Sequence, residues 1–353
     1  TWGYRNLILF PKAASQVAKT ILAPVTHFRN LFSATGFSAA NGVLFENPAV
    51  VARAFGDAFA PLQTGAPIKR FLGKATGVGF DEAAANARYR KLLDLGVVNS
   101  QVQLGDLRKL LEDVDFGGTL NKLNSDWGLK RLLNRLNKIK KGAQDAYTAE
   151  DDFWKIFTYL GEKTKLADAY RGAGLQLGQE FIDPNGVKQI FNDEYLKKTA
   201  ADLVKNNVPN YAFVSDFIKG LRKLPIGNFV SFTSEILRTS FANSAIALKH
   251  ISSDNAVLRE MGYRALSGQA ITLGGVTAGA SALAHAMTNV TPTQLEVYKE
   301  YFAPDYMKFS SLIPVSNVEN GVFEVFDLSR YHPYDIVTSS ARELFKTACC
   351  LAG

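Results

Sequence analysis

The chain has 353 residues, of which 47% are hydrophobic and 21% charged, and a formal net charge of +7. These are globular values in a chain long enough for two or more domains, and they exclude wholesale disorder. The charge is uneven: residues 1–80 carry eight Lys and Arg against two Asp and Glu, which leaves +1 for everything after.

A basic arm of this sign suits DNA phosphates or an anionic membrane surface, and it equally suits a solvated face. The two cysteines, Cys349 and Cys350, are adjacent and cannot staple distant segments, so no disulfide framework is expected and assembly in a reducing cytosol is natural. A first residue of Thr1 rather than Met is expected of a piece of a longer polypeptide, and residues 1–25 lack the apolar core of a secretory signal.

Along the chain, Leu7–Phe10 is a short apolar run ended by Pro11, and Ala13–Leu22 can be helical until Pro24. Residues Thr26–Asn41 place Phe28, Leu31, Phe32 and Phe37 on an amphipathic helix, which either packs in a core or meets a partner or membrane. Prolines and glycines punctuate Glu46–Gly79, so short helices joined by loops fit there. From Phe80 the pattern predicts a helix with an acidic start at Asp81-Glu82 and a glycine stop. A further helix fits Leu104–Val114.

Between Leu123 and Lys141, a leucine stripe shares a helix with Lys130, Arg131, Arg135, Lys138, Lys140 and Lys141. Lys130, Arg131 and Arg135 are candidate DNA contacts, because cations on one face neutralise phosphates without reading sequence; a solvated face is the alternative. Thr148, followed by Asp151, resembles a capping box, and the pattern opens a new helix whose face is Phe153, Ile156, Phe157 and Leu160. The adjacent Glu150, Asp151 and Asp152 are then read as helix capping rather than as acid–base or metal chemistry. The glycine-rich GAGLQLG after Arg171 lacks dinucleotide and Walker spacing, and Asp183-Pro184-Asn185-Gly186 reads as a turn.

The stretch Asn206–Ser240 reads as an assembly element. Pro209 ends the preceding helix. Phe213, Phe217 and Leu221 then form an apolar stripe closed by Arg222 and Lys223, and Leu224-Pro225-Ile226-Gly227 makes a corner. A second helix follows, with hydroxyl caps at Ser231–Ser234, Glu235 in its first turn, and Ile236, Leu237, Phe241, Ala245 and Leu248 as its apolar residues. Phe213, Phe217, Leu221, Arg222, Ile226, Phe229, Phe232 and Arg238 are the candidate partner contacts.

The string LRKLPIGNFVSFTSEILRTS at Leu221–Ser240 resembles a segment of the large internal virion proteins of tailed, especially short-tailed, bacteriophages, in the region called the large polyvalent protein-associated domain. LAPVTHFRNLFSATGFSAANG at Leu22–Gly42, and Tyr306–Asp335 with LIPV and DLSRYHPYD, resemble the same proteins. The resemblance implies a non-enzymatic part of a multi-part core or ejection protein, packed inside the capsid near the portal and released with the DNA into the host envelope. It implies other core or portal proteins and further copies of the chain as partners. Non-specific DNA and the host membrane during delivery are additional candidates.

The 25 residues Leu266–Val290 contain no Asp, Glu, Lys or Arg. As a helix they would span roughly 37 Å, enough for a bilayer, but Gln269, His285, Asn289 and many small polar residues make a poor ordinary transmembrane segment. Gly275 and Gly279 have GxxxG spacing and are candidates for helix–helix or membrane contact. A buried helix inside a soluble assembly is the first expectation and conditional membrane insertion, as a pore component using residues 266–290, the second. Further on, Phe309–Val315 and Val322–Phe326 flank Asn320-Gly321 and predict a small hairpin, after which Ile336–Thr347 can be helical.

His27, His250, His285 and His332 have no paired metal spacing, and neither a G-x-S-x-G elbow nor a Cys-His arrangement is present. No cofactor, metal or catalytic residue is therefore assigned. The expected fold is mainly α: an elongated, multi-lobed assembly protein with a small C-terminal β-hairpin, divided into 1–79, 80–207 and 208–353. An unidentified envelope-degrading enzyme and a DNA-binding scaffold are the remaining alternatives.

Overall fold

This computed structural model describes residues 35–43, 48–61, 81–98, 127–209, 215, 230–332, 334–335 and 337–339, with the side chains of 48, 127–147 and 230–233 outside the description. The fold is mainly helical, with two small two-stranded antiparallel sheets. The chain forms two compact units, one of residues Thr1–Leu31 and Phe45–Glu235 and the other of Phe32–Leu44 and Ile236–Gly353. The division therefore falls differently from the three consecutive segments expected. Residues around 35–43 join the C-terminal half because contacts rather than sequence order define a core.

In the first unit, α2 (Pro48–Phe59) and α5 (Asp193–Asn207) pack on α4 (Trp127–Gly172), and α3 (Glu82–Asp94) packs on α2. Asp81 caps α3 by accepting from Ala84 N at 3.0 Å, and the helix stops as the sequence predicts at Gly96. Gly96 has φ +70°, a left-handed conformation that a side chain would strain, and the amides of Gly96 and Val97 close on the Leu93 and Leu92 carbonyls. Asn192 caps α5, which ends at an extended Val208 before Pro209.

The helix expected to open at Thr148 does not begin there. α4 runs unbroken through 46 residues, because no proline interrupts it and isolated glycines such as Gly142 and Gly161 are too weak a break. Glu150, Asp151 and Asp152 therefore lie in mid-helix, and the capping explanation for them is withdrawn. The predicted apolar face is in place, with Ile156 and Phe157 buried, but burial from residue 155 to 162 runs almost all the way round. Neighbouring elements cover α4 on several sides, so its polar residues are buried as well.

Two aromatic groups line α4. Phe55 stacks on Phe59 at 4.3 Å and meets Phe153 edge-on at 5.8 Å, with Trp154 and Phe157 continuing the group. Toward its C-terminus, Tyr170 packs with Phe181, Phe191 and Tyr195 under a short hairpin of β1 (Glu180–Ile182) and β2 (Lys188–Ile190). The 183–186 turn was legible in sequence; these three-residue strands were not.

In the second unit, α1 (residues 35–40), α6 (Val230–Ile251, contributing from Ile236) and α7 (Ala256–Ala270) pack together. A π-helical turn, Ile271–Gly275, joins α7 to α8 (Val276–Met287). A short α9 (Pro292–Val297) has a capping box between Thr291 and Gln294. The expected C-terminal hairpin is present as β3 (Leu312–Pro314) and β4 (Val325–Asp327), which pair Ile313 with Phe326. Its tip turns at Asn320 (φ 52°) and Gly321 (φ 78°), the two positive φ values that an Asn-Gly turn supplies at least cost. Of the last predicted helix, Ile336–Thr347, residues 337–339 are described and are helical.

Candidate interaction surface

α6 has two faces, and the fold buries the one that is less apolar. Ile236, Thr239, Asn243 and Ala247 are buried, whereas Leu237, Phe241 and Leu248 are exposed, Phe241 by 73%. The exposed three recur with Ala245 at helical spacing and form one solvent-facing apolar stripe. A surface helix of a globular protein normally has the opposite arrangement. Ser240 returns its hydroxyl to the Ile236 carbonyl four residues earlier, which satisfies it within the helix.

The interior against which α6 packs is correspondingly polar and closely approached. Ser244 Oγ donates to Gln269 Oε1 at 3.0 Å. His332 Nε2–H donates to the Thr272 carbonyl in the π-helical turn at 2.5 Å, and Thr272 Oγ1 donates to the Gly268 carbonyl at 2.7 Å. The Thr272 carbonyl can only accept, so the His332 hydrogen is assigned to Nε2. Phe37 meets Tyr334 edge-on at 5.4 Å, and burial pushes the Tyr334 hydroxyl pKa up.

Glycines set how close the helices come. A Cβ at Gly262 would lie 2.7 Å from Ile251 Cγ1 and 2.8 Å from the Ala247 carbonyl oxygen of α6. One at Gly268 would overlap the Ala39 carbonyl oxygen and sit 2.9 Å from Gly42 N. Small residues allow such backbone approach. The sequence signal, GxxxG spacing, pointed instead to Gly275 and Gly279. At Gly279 nothing lies within 4 Å of a Cβ, and at Gly275 the neighbours are Ala270 and Ile271, which immediately precede it. Among the described glycines, those whose Cβ would fall within 3 Å of another segment's atoms are Gly262 and Gly268, whose six-residue separation matches no motif.

Within this chain α8 contains no buried residue, so the burial expected for 266–290 in an assembly is not supplied by the chain's own packing. Leu283 and Met287 are exposed by 60% and 73%. The continuous helix Ala256–Met287 has 32 residues and a stretch of mean hydropathy 1.2, long and apolar enough to cross a membrane by length and composition. The exposure arises because α8 is covered on one side, chiefly by β3. His285 at its end bonds through Nδ1 to the Val290 carbonyl at 2.8 Å, a local structural role.

The first unit contributes a cleft of about 430 Å³ between α2, α4 and α5, lined by Arg53, Lys163, Arg171, Asp168 and Asp193 among apolar residues. Lys163 and Lys197 both pair with Asp193 and hold its carboxyl below the ordinary range. The mixed charges cancel nearly completely, so the cleft has no strong preference for an anion or a cation. Beside it, Arg88 grips Asp57 through Nε and Nη2, the latter at 2.6 Å. Burial raises the Asp57 pKa despite this partner, because the carboxylate is 2% exposed while the guanidinium is 37% exposed.

The candidate contacts named from sequence are placed as follows. Arg238 lies on α6, half-buried and engaged with a neighbour. Phe232 belongs to the first turn of α6, where side chains are outside the description, and Phe213, Phe217, Leu221, Arg222, Ile226 and Phe229 lie outside the described residues. Lys130, Arg131 and Arg135 occupy the N-terminal third of α4, again without described side chains. Ser231, Thr233 and Ser234 fall inside α6 rather than before it, so Glu235 lies beyond the first turn expected for it, and it is 1% exposed. Among the described residues, no group of three His, Cys, Asp or Glu could hold a metal ion.

No protein-family model, curated protein or solved structure matches this chain. The surface itself therefore defines the class: a mainly α-helical protein with an apolar helical face turned to solvent over a polar, small-residue interior.

Proposed function

We propose that this chain is a non-enzymatic assembly segment of an internal virion or ejection protein of a tailed phage, packed near the portal and helping to deliver the genome through the host envelope. The observation that carries the assembly reading is the inverted α6, whose Leu237, Phe241 and Leu248 face outward while Thr239 and Asn243 face inward. Exposed apolar patches of this kind mark contact surfaces. The phage setting rests on the resemblance at Leu221–Ser240, Leu22–Gly42 and Tyr306–Asp335. Mass spectrometry and cryo-electron microscopy of intact particles test it: the chain should appear inside the capsid at the portal as an ordered multimer. Its absence from particles would overturn the reading.

The length and exposure of the Ala256–Met287 helix favour a second reading, insertion into a membrane during delivery. Small residues and buried hydroxyls between α6 and α7 are also the means by which helices associate in lipid. Flotation with anionic vesicles, compared between the native chain and a variant with Gly275→Leu and Gly279→Leu, tests it. Loss of binding in the variant would support insertion at this face, and failure of the native chain to float with vesicles would refute it.

A further inference from the structure

The three consecutive acids of α4 do not cap a helix, and Asp152 has a different environment from its neighbours. Its side chain is buried at the α3–α4 contact, where the Tyr89 hydroxyl of α3 donates to Asp152 Oδ2 at 2.6 Å. Lys155, also buried, pairs with Asp151 at 2.6 Å. Asp151, which holds the Lys155 ammonium, is 35% exposed, whereas Asp152 is 2% exposed and its hydrogen-bond donor is the uncharged Tyr89 hydroxyl. Burying an ionised carboxylate without a full counter-charge is costly, so the site favours a proton on Asp152.

We infer that the buried Asp152 acts with Tyr89 as a pH-sensitive latch: α3 is held on α4 while Asp152 is protonated, and the contact loosens as the proton is lost, because the cost of burying the charge exceeds the strengthening of the Tyr89 hydrogen bond. Burial pushes the Asp152 pKa up to about 7, and the Asp151 charge adds to the shift; Lys155 and the Tyr89 hydrogen bond oppose it. Tyr89 stays protonated, since burial and the Asp152 charge both raise its pKa. Burial disfavours the Lys155 ammonium, but Asp151 and Asp152, with a contribution from Glu235, outweigh it and keep the ammonium charged. The direction follows from linkage. A carboxyl whose pKa is raised in the closed state stabilises that state fully below the ordinary value of 3.8, and the contribution is lost as pH rises through about 7. The latch is tight in mild acid and weak in mild alkali.

α3 has a second polar attachment, Arg88 to Asp57 on α2, with Arg53 at 3.9 Å from the same carboxylate. Burial shifts Asp57 in the same direction, so the two carboxylates must be separated by experiment. This latch is independent of the assembly face on the other unit, and its failure would leave that reading untouched.

The test is hydrogen exchange of the peptide covering 82–94 in the whole chain from pH 5 to pH 8, corrected for intrinsic exchange, in the native protein and in Asp152→Asn and Asp57→Asn. The opening constant of α3 should rise by roughly ten- to a hundredfold across this range in the native protein. Asp152→Asn, which keeps a hydrogen-bond partner for Tyr89 but cannot ionise, should remove most of that rise, and Asp57→Asn should retain it. A flat native profile, or a dependence that follows Asp57, would overturn the proposal. Infrared titration of the native protein provides a second readout that needs no variant. A protonated carboxyl band persisting above pH 6 is expected, and complete carboxylate ionisation by pH 5 would refute the latch.

Discussion

The packing of α1 on α7 makes a sharp prediction at Gly268. Replacing it with Ala adds one methyl group where the backbone of residues 39–42 leaves no room, since all three nearest atoms belong to that backbone. Backbone cannot swing aside as a flexible side chain can, so the helices must separate; overpacking of this kind costs about 1–3 kcal/mol. Against this, Gly to Ala in a helix interior gains about 1 kcal/mol from propensity. Gly279→Ala receives the same propensity term in open space. The difference between the two variants therefore isolates the packing cost, and Gly268→Ala should be less stable than Gly279→Ala by about 1–3 kcal/mol. Urea unfolding followed by circular dichroism measures the difference, and hydrogen exchange of residues 35–43 localises it, because the Val43 amide bond to the Ser38 carbonyl should lose protection. Equal stability of the two variants, with unchanged protection at Val43, would refute the packing argument.

Other consequences follow from the surface, the turn and the ion pair. Leu237→Gln, Phe241→Gln and Leu248→Gln together should change the unfolding free energy of the isolated chain by less than about 1.5 kcal/mol, since surface substitutions each fall within about 0.5. The same triple variant should abolish self-association or incorporation into particles, as read by analytical ultracentrifugation and particle proteomics. Gly321→Ala should cost about 1–2 kcal/mol through its left-handed φ alone, because its Cβ would touch nothing; chemical denaturation checks this, and an unchanged midpoint would contradict the turn. Arg88→Met leaves Asp57 buried with only the 3.9 Å Arg53 contact and should destabilise the first unit by about 2–3 kcal/mol, discounted for the partial exposure of Arg88. Adding Asp57→Leu should recover most of that loss in a double-mutant cycle.

Much of the secondary structure was legible because its signals are local. Asp81 at the start of α3, Gly96 at its end, Pro209 after α5 and Asn320-Gly321 in the hairpin each act on a neighbouring backbone group, and all appear where the pattern placed them. The signal at Thr148 was equally local and misled, because a Thr followed by an acidic residue permits a helix start but cannot break a strong helix already under way. The β1–β2 pairing escaped notice since its three-residue strands are too short to show alternation.

The candidate surface was legible in part. Sequence identified the apolar residues of α6, and it identified the charge-free, small-residue run that became the end of α7, the π-helical turn and α8. It did not indicate that Gly262 and Gly268 would bear the close contacts, because which glycine meets another backbone depends on where α1 and α6 lie.

By itself, then, the sequence determined the helical class, the main stops and caps, and the stripes along each helix, all of which arise from interactions within a few residues. Only the tertiary structure decided which stripe is covered. It turned Leu237, Phe241 and Leu248 outward and Thr239 and Asn243 inward, and it buried Asp152 against Tyr89. The physical reason is that periodicity specifies which residues share a face, whereas burial depends on what the rest of the chain brings to that face.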